Sequence, residues 1–187
     1  MIFDSELYNA LKTLQNKQLI LYPTDTVWGI GCDATDFEAV SKIFQLKNRV
    51  ESKSLVVLVS SIEMLSSYIE MIPEKAIKII TTSQNPTTII YKNPKGLASN
   101  TIALDDTIAI RIPTHQYCLK LINQLGKPII STSANKSGES SPKSFSEIGQ
   151  PILEGVDYIV NLERDKISVK SSTILKLIGE DIEVIRA

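Results

Sequence analysis

Two rows of small polar side chains stand where apolar runs end. In Leu19-Ile20-Leu21-Tyr22-Pro23-Thr24-Asp25-Thr26 an aliphatic run stops at Pro23, three hydroxyl or carboxylate groups follow, and Trp28, Gly29 and Gly31 come next. The stretch Lys127-Pro128-Ile129-Ile130-Ser131-Thr132-Ser133-Ala134-Asn135-Lys136-Ser137-Gly138 repeats the design. Hydroxyl and amide groups donate and accept hydrogen bonds without changing charge near neutral pH, which suits them to hold a polar or anionic ligand in place. In an α/β sheet the ligand crevice lies outside the carboxyl ends of the strands, where such groups would sit. Either stretch alone also fits a strand followed by an ordinary turn. Two of them in one chain favour a site, and the glycines allow a sharp turn or a close approach of the backbone.

Cations are the second kind of chemistry. Lys42, Lys47, Arg49 and Lys53 fall within twelve residues, and Lys136 and Lys143 flank the second polar loop. The first group closes an amphipathic helix, where positive charge suits the helix dipole. Alternatively Lys47, Arg49 and Lys53 point back at whatever lies over Thr24 to Thr26. Arg111 interrupts the apolar alternation Thr107-Ile108-Ala109-Ile110-Arg111-Ile112-Pro113, with Thr107, Ala109 and Arg111 on one face. Burying that charge unpaired is costly, so it serves either a structural salt bridge or an anion site. His115 is the single histidine, in a polar turn that suits a capping or surface residue; a Ser-His-Asp triad or a histidine metal site would have to be built around it alone. Cys32 and Cys118 lack CxxC spacing and read as two unpaired thiols of a reduced compartment.

These side chains need elements to hold them. Leu7, Ala10, Leu11 and Leu14 give Asp4 to Lys17 a helical face, and Ala39, Val40, Ile43, Phe44 and Leu46 do the same for a helix capped by Thr35 or Asp36. Leu55 to Val59 reads as a strand buried on both faces. Ser60 with Glu63 forms a capping box for a helix to about Met71, and Pro73 opens another to about Ile80. Strands follow at Thr87 to Tyr91 and Thr107 to Pro113, then a helix from Gln116 to Leu125 that Gly126 terminates. Ser144 with Glu147 caps a helix from Phe145 to Leu153. Val156 to Val160 is a strand, and Ser171 to Leu177 with Ile182 to Arg186 form a closing hairpin turning at Gly179-Glu180-Asp181. With 187 residues, 43% of them apolar and 22% charged, the expectation is one α/β domain over residues 1–187. No stretch approaches the ~20 consecutive apolar residues of a membrane span. Met1 to Glu6 lacks the basic start of a signal peptide, so a cytoplasmic protein is expected. A net charge of −1 argues against coating nucleic acid by charge alone.

The motifs YPTDTVWGIGCDA, LKNR, KSLVVLV, AIRIP, STSANKSGESSP, SSTILKL and IEVIR, in this order from Leu19 to Arg186, resemble the YrdC-like threonylcarbamoyl-AMP synthases of the single-domain type. The resemblance implies a YrdC-like fold, a twisted, mixed open sheet with helices packed on it and a concave ligand-binding face, without the linked C-terminal domain of longer members. It implies a nucleotidyl transfer in which L-threonine, bicarbonate and ATP give threonylcarbamoyl-AMP and pyrophosphate, for threonylcarbamoyladenosine in tRNA. Downstream threonylcarbamoyl transferase proteins would take the product. By the same resemblance Lys47 and Arg49 are catalytic, Thr26 and Ser133 contact threonine, and Arg111 pairs with its carboxylate. Arg49, Lys53, Thr107, Ser131, Asn135, Ser141 and Arg186 would meet ATP. Mg²⁺ would enter with the nucleotide, held by phosphates and water and not by a protein metal site. Asp25 either caps its turn or helps place that metal. Three positions depart from the pattern: Val50 replaces a frequent proline, Leu58 a threonine-contacting histidine of some members, and Asn85-Pro86-Thr87-Thr88 a PGPxT-like segment. A paralogue that binds RNA or nucleotide without efficient synthesis is the competing expectation.

Overall fold

The computed structural model describes residues 2–49, 55–168, 171–178 and 181–187, so Val50, Lys53 and the turn residues Gly179 and Glu180 lie outside the described residues. The helix expected near the amino terminus is α1, Ile2–Gln15, which buries Leu7, Ala10 and Leu14. Next, β1 (Ile20–Tyr22) and β2 (Gly29–Gly31) form an antiparallel pair with Tyr22 opposite Gly29 and Ile20 opposite Gly31. The polar row Thr24 to Thr26 is therefore the turn between two paired strands. Asp36 caps α2 (Phe37–Lys47) by accepting from the Ala39 amide at 2.9 Å. The Leu55 to Val59 run contains β3, Val56–Leu58.

The later elements are α3 (Ile62–Tyr68), α4 (Glu74–Thr82), β4 (Thr87–Lys92), β5 (Thr107–Arg111), α5 (Gln116–Leu125), β6 (Ile129–Ile130) and β7 (Thr132–Ser133). After them come α6 (Gln150–Gly155), β8 (Tyr158–Ile159), β9 (Thr173–Ile178) and β10 (Asp181–Arg186). Two caps differ from expectation. Ser61, not Ser60, accepts from the Met64 amide at 3.1 Å and opens α3, which stops at Tyr68. The helix expected over Phe145 to Leu153 splits into a single 3-10 turn, Phe145–Glu147, and α6. The Glu147 carboxylate accepts from the Lys143 amide at 2.8 Å, and Pro151 restarts the helix where its missing N–H costs nothing.

The strands divide into two mixed sheets where the sequence pattern suggested one. Four strands run β7-β2-β1-β8 and six run β10-β9-β4-β5-β3-β6. The segment Ile129 to Ser133 belongs to both, because β6 pairs with β3 and β7 pairs with β2. Ser131 stands at the change of sheet, its amide bonded to the Val56 carbonyl at 2.8 Å. The two sheets are thus stitched along one edge, and the polar ends of β1, β5 and β6 come together there.

Gly31 is required for the stitch. A Cβ on it would lie 2.7 Å from the Tyr22 ring and 2.8 Å from the Ile130 carbonyl oxygen. Tyr22 is fully buried, so neither neighbour yields easily. Gly31→Ala is expected to lower the unfolding free energy by about 1–3 kcal/mol, the usual cost of overpacking, measured by urea denaturation.

Candidate active site

A cavity of about 280 Å³ opens at the seam between the sheets. Three arginines line it from three elements: Arg49 just past α2, Arg111 at the end of β5 and Arg186 at the end of β10. Hydroxyls of Thr26, Ser131, Thr132, Ser133, Ser141, Ser171 and Ser172 complete the polar wall, with no aspartate or glutamate among the described lining residues. Burial lowers the pKa of Arg49 and, with the nearby Arg111 charge, that of Arg186. Like charges gathered in a partly dry space, each a planar fork of donors, suit carboxylate and phosphate. A second hollow of about 380 Å³ shares Thr26 and Ser171, takes in Asp25 and extends the cleft past Asn85, Pro86 and Lys166.

Local sequence explains the aim of these groups. Thr24 Oγ1 accepts from the Thr26 amide at 3.0 Å and donates to the Val27 carbonyl at 2.8 Å, closing a tight turn. That turn carries Thr26 Oγ1 to within 3.4 Å of Arg111 Nη2. Of the two readings of Arg111, the structure shows the salt bridge. The arginine is ion-paired to Asp25 and also lines the cavity. Asp25 accepts from the Thr114 amide at 3.0 Å, so it secures an arginine and the turn after β5. Arg186 donates to the Ser172 carbonyl at 3.0 and 2.8 Å, which pins the end of the closing hairpin over the cavity. Trp28 is buried and packs on Phe145 with ring centres 5.0 Å apart.

Of the residues singled out from sequence, Thr26, Arg49, Arg111, Ser131, Ser133, Ser141 and Arg186 converge on the cavity. Lys47, Asn135 and Thr107 do not, and Lys53 lies outside the described residues. Lys47 is 1% exposed and its ammonium donates to the carbonyls of Ser133 and Asn135. These bonds hold the loop that presents Ser133, and Lys47 itself stands outside the lining of the cavity. The Ser137 amide bonds back to the Lys47 carbonyl at 2.8 Å. Asn135 Nδ2 is used within that loop, on the carbonyls of Lys136 at 2.8 Å and Glu139 at 2.9 Å. Thr107 lies at the opposite end of β5, its hydroxyl donated to Asp105 at 2.6 Å. Leu58 is buried opposite Arg111 in the β3–β5 pairing.

Sequence reasoning missed Ser171 and Ser172, visible only as the polar lead into β9. His115 meets Glu163 at 3.0 Å, away from the cavity. No group of three metal-ligating side chains occurs among the described residues, and both cysteines are buried and unpaired.

A cleft between two mixed sheets, walled by arginines and hydroxyls at the strand ends, defines an α/β protein built to hold small anionic molecules. The chain belongs to the Sua5_yciO_yrdC family, described as telomere recombination, whose model matches residues 12–187. It is 34% identical over 177 residues to threonylcarbamoyl-AMP synthase of Vibrio parahaemolyticus, covering 89% of this chain and 96% of that protein. To the Bacillus subtilis protein of the same name it is 32% identical over 185 residues, covering 97% of this chain and 53% of the relative. The crystal structure of P. abyssi Sua5 complexed with L-threonine superposes with a TM-score of 0.86 at 28% identity, covering 96% of this chain and 53% of that one. The chain therefore spans about half the length of the Bacillus and Pyrococcus proteins and nearly all of the Vibrio one.

Burial and the Arg49 charge bring the Lys47 pKa down from 10.5 to about 8. Unfolding restores the ordinary value, so above pH 8 the unfolded chain binds more protons than the folded one. The folded state then gains stability through this group as pH rises from about 8 to 10.5, with nothing further above that. Urea titrations should show this rise in the wild type and lose it in Lys47→Met.

Proposed function

We propose that this chain is a threonylcarbamoyl-AMP synthase, joining L-threonine, bicarbonate and ATP into threonylcarbamoyl-AMP with release of pyrophosphate. The convergence of Arg49, Arg111 and Arg186 on one hydroxyl-lined cavity, Arg111 with Asp25 as its ion-pair partner, carries the reading. A triphosphate and an amino-acid carboxylate, together about five negative charges, need such a receptor. The names of the Vibrio and Bacillus relatives and the threonine complex of P. abyssi Sua5 support the particular substrates.

In this reading the threonine amine bonds to the carbon of bicarbonate with loss of water, giving a carbamate. A carbamate oxygen then attacks the α-phosphorus of ATP, and pyrophosphate leaves. Arg111, Thr26 and Ser133 hold threonine. Arg49 and Arg186, with the Ser131 and Ser141 hydroxyls, hold the triphosphate, and Lys53 is assigned to the same group. The protein's contribution is position and charge, with no covalent intermediate on the chain. A Mg²⁺ ion would be brought by the nucleotide and coordinated mainly by phosphate and water. That ion would offset phosphate charge. The product, a mixed anhydride, would pass to a threonylcarbamoyl transferase that modifies tRNA. No described helix is long and apolar enough to cross a membrane. Two buried free thiols support a cytoplasmic setting.

Pyrophosphate release from ATP is expected to require both L-threonine and bicarbonate. Release without threonine, or ATP binding with no turnover, would assign the chain to the paralogue reading. Arg111→Ala should weaken threonine binding by ~2–3 kcal/mol through a lost charged hydrogen bond. Arg49→Ala and Arg186→Ala should raise the KM for ATP about tenfold at unchanged circular dichroism.

A further inference from the structure

Asp25 is 8% exposed, and both its oxygens are committed. Oδ1 takes Arg111 Nη1, while Oδ2 accepts from the Thr114 amide at 3.0 Å and the Thr114 hydroxyl at 3.3 Å. Thr114 lies just beyond the end of β5, so the carboxylate is braced by the segment that carries the arginine. A carboxylate held at both oxygens is fixed in orientation, and it anchors the guanidinium at Nη1.

The rest of the Arg111 guanidinium is under-used. Among the described residues Nη2 reaches only the long 3.4 Å contact with Thr26 Oγ1. Nε is buried with no hydrogen-bond partner among the described residues. These two nitrogens share one edge of the guanidinium plane, the edge that takes a carboxylate through two parallel hydrogen bonds. Buried donors are rarely left unmade, and because the Arg111 side chain lines the cavity the missing acceptor points to one that comes with the ligand.

We propose that Asp25 is the positioning residue for the substrate carboxylate: it occupies Nη1 so that the Nε and Nη2 edge of Arg111 meets threonine in one fixed geometry. The inference rests on the threonine reading above.

The test is calorimetric titration of wild type, Asp25→Asn and Arg111→Ala with L-threonine, with L-threoninol, which lacks the carboxylate, and with ATP. Wild type should prefer threonine to threoninol by at least about tenfold. Asp25→Asn should lose that preference, as Arg111→Ala does, while ATP affinity changes less than about twofold. A merely structural role would weaken both amino ligands alike and keep their ratio. That result overturns the inference, as does unchanged threonine affinity in Asp25→Asn. Should Asp25→Asn fail to fold, Thr114→Ala removes only the bracing hydroxyl and should still lower the threonine preference about twofold; an unchanged ratio there overturns it. Wild type that binds ATP but no threonine overturns the substrate assignment and this inference together.

Discussion

Arg111 is 4% exposed, and a guanidinium so far from water would cost several kcal/mol without a partner. Its partner is supplied by a different sheet. Arg111 ends β5 in the six-stranded sheet, whereas Asp25 lies in the turn between β1 and β2 of the four-stranded one. The pair therefore fixes how the two sheets meet, and the cavity is the space left at that meeting. Removing either charge would strand the other, a loss of about 3–5 kcal/mol in comparable buried pairs. Such pairs seldom add net stability over an apolar contact, so a placement like this one is best explained by what it orients.

The second tie between the sheets is covalent. A single strand path, Ile129 to Ser133, leaves one sheet and enters the other at Ser131. The change of partner turns consecutive residues toward different surroundings. Ile129 and Ile130 are fully buried, while Ser131, Thr132 and Ser133 line the cavity. Lys47 then clamps the loop beyond from below, through the Ser133 and Asn135 carbonyls. Position in the cavity is thus set by backbone geometry and one buried ammonium, and the hydroxyls inherit it.

Much of this was legible from residue types alone. Apolar runs ending in hydroxyls marked the ends of β1 and β6, and the alternation through β5 put Ala109 and Arg111 on the cavity face. What the pattern could not give was direction along or around an element. Thr107 shares that face but sits four residues from Arg111, roughly 13 Å along a strand, and so misses the cavity. Lys47 and Arg49 are two residues apart, yet Asn48 between them adopts a left-handed conformation with φ of 49°. The chain turns there, leaving Lys47 under the loop and sending Arg49 to the cavity. A one-residue error placed the α3 cap on Ser60, because adjacent serines offer the same side chain. The division into two sheets was hidden as well, since strand pairing across distant segments leaves no local signature.

The most direct test of the account is a crystal structure with L-threonine and a non-hydrolysable ATP analogue bound. The threonine carboxylate is expected on the Nε and Nη2 edge of Arg111, with Asp25 still on Nη1 and the phosphates against Arg49 and Arg186. Phosphate on Arg111, or threonine bound outside the cleft between the two sheets, would contradict it.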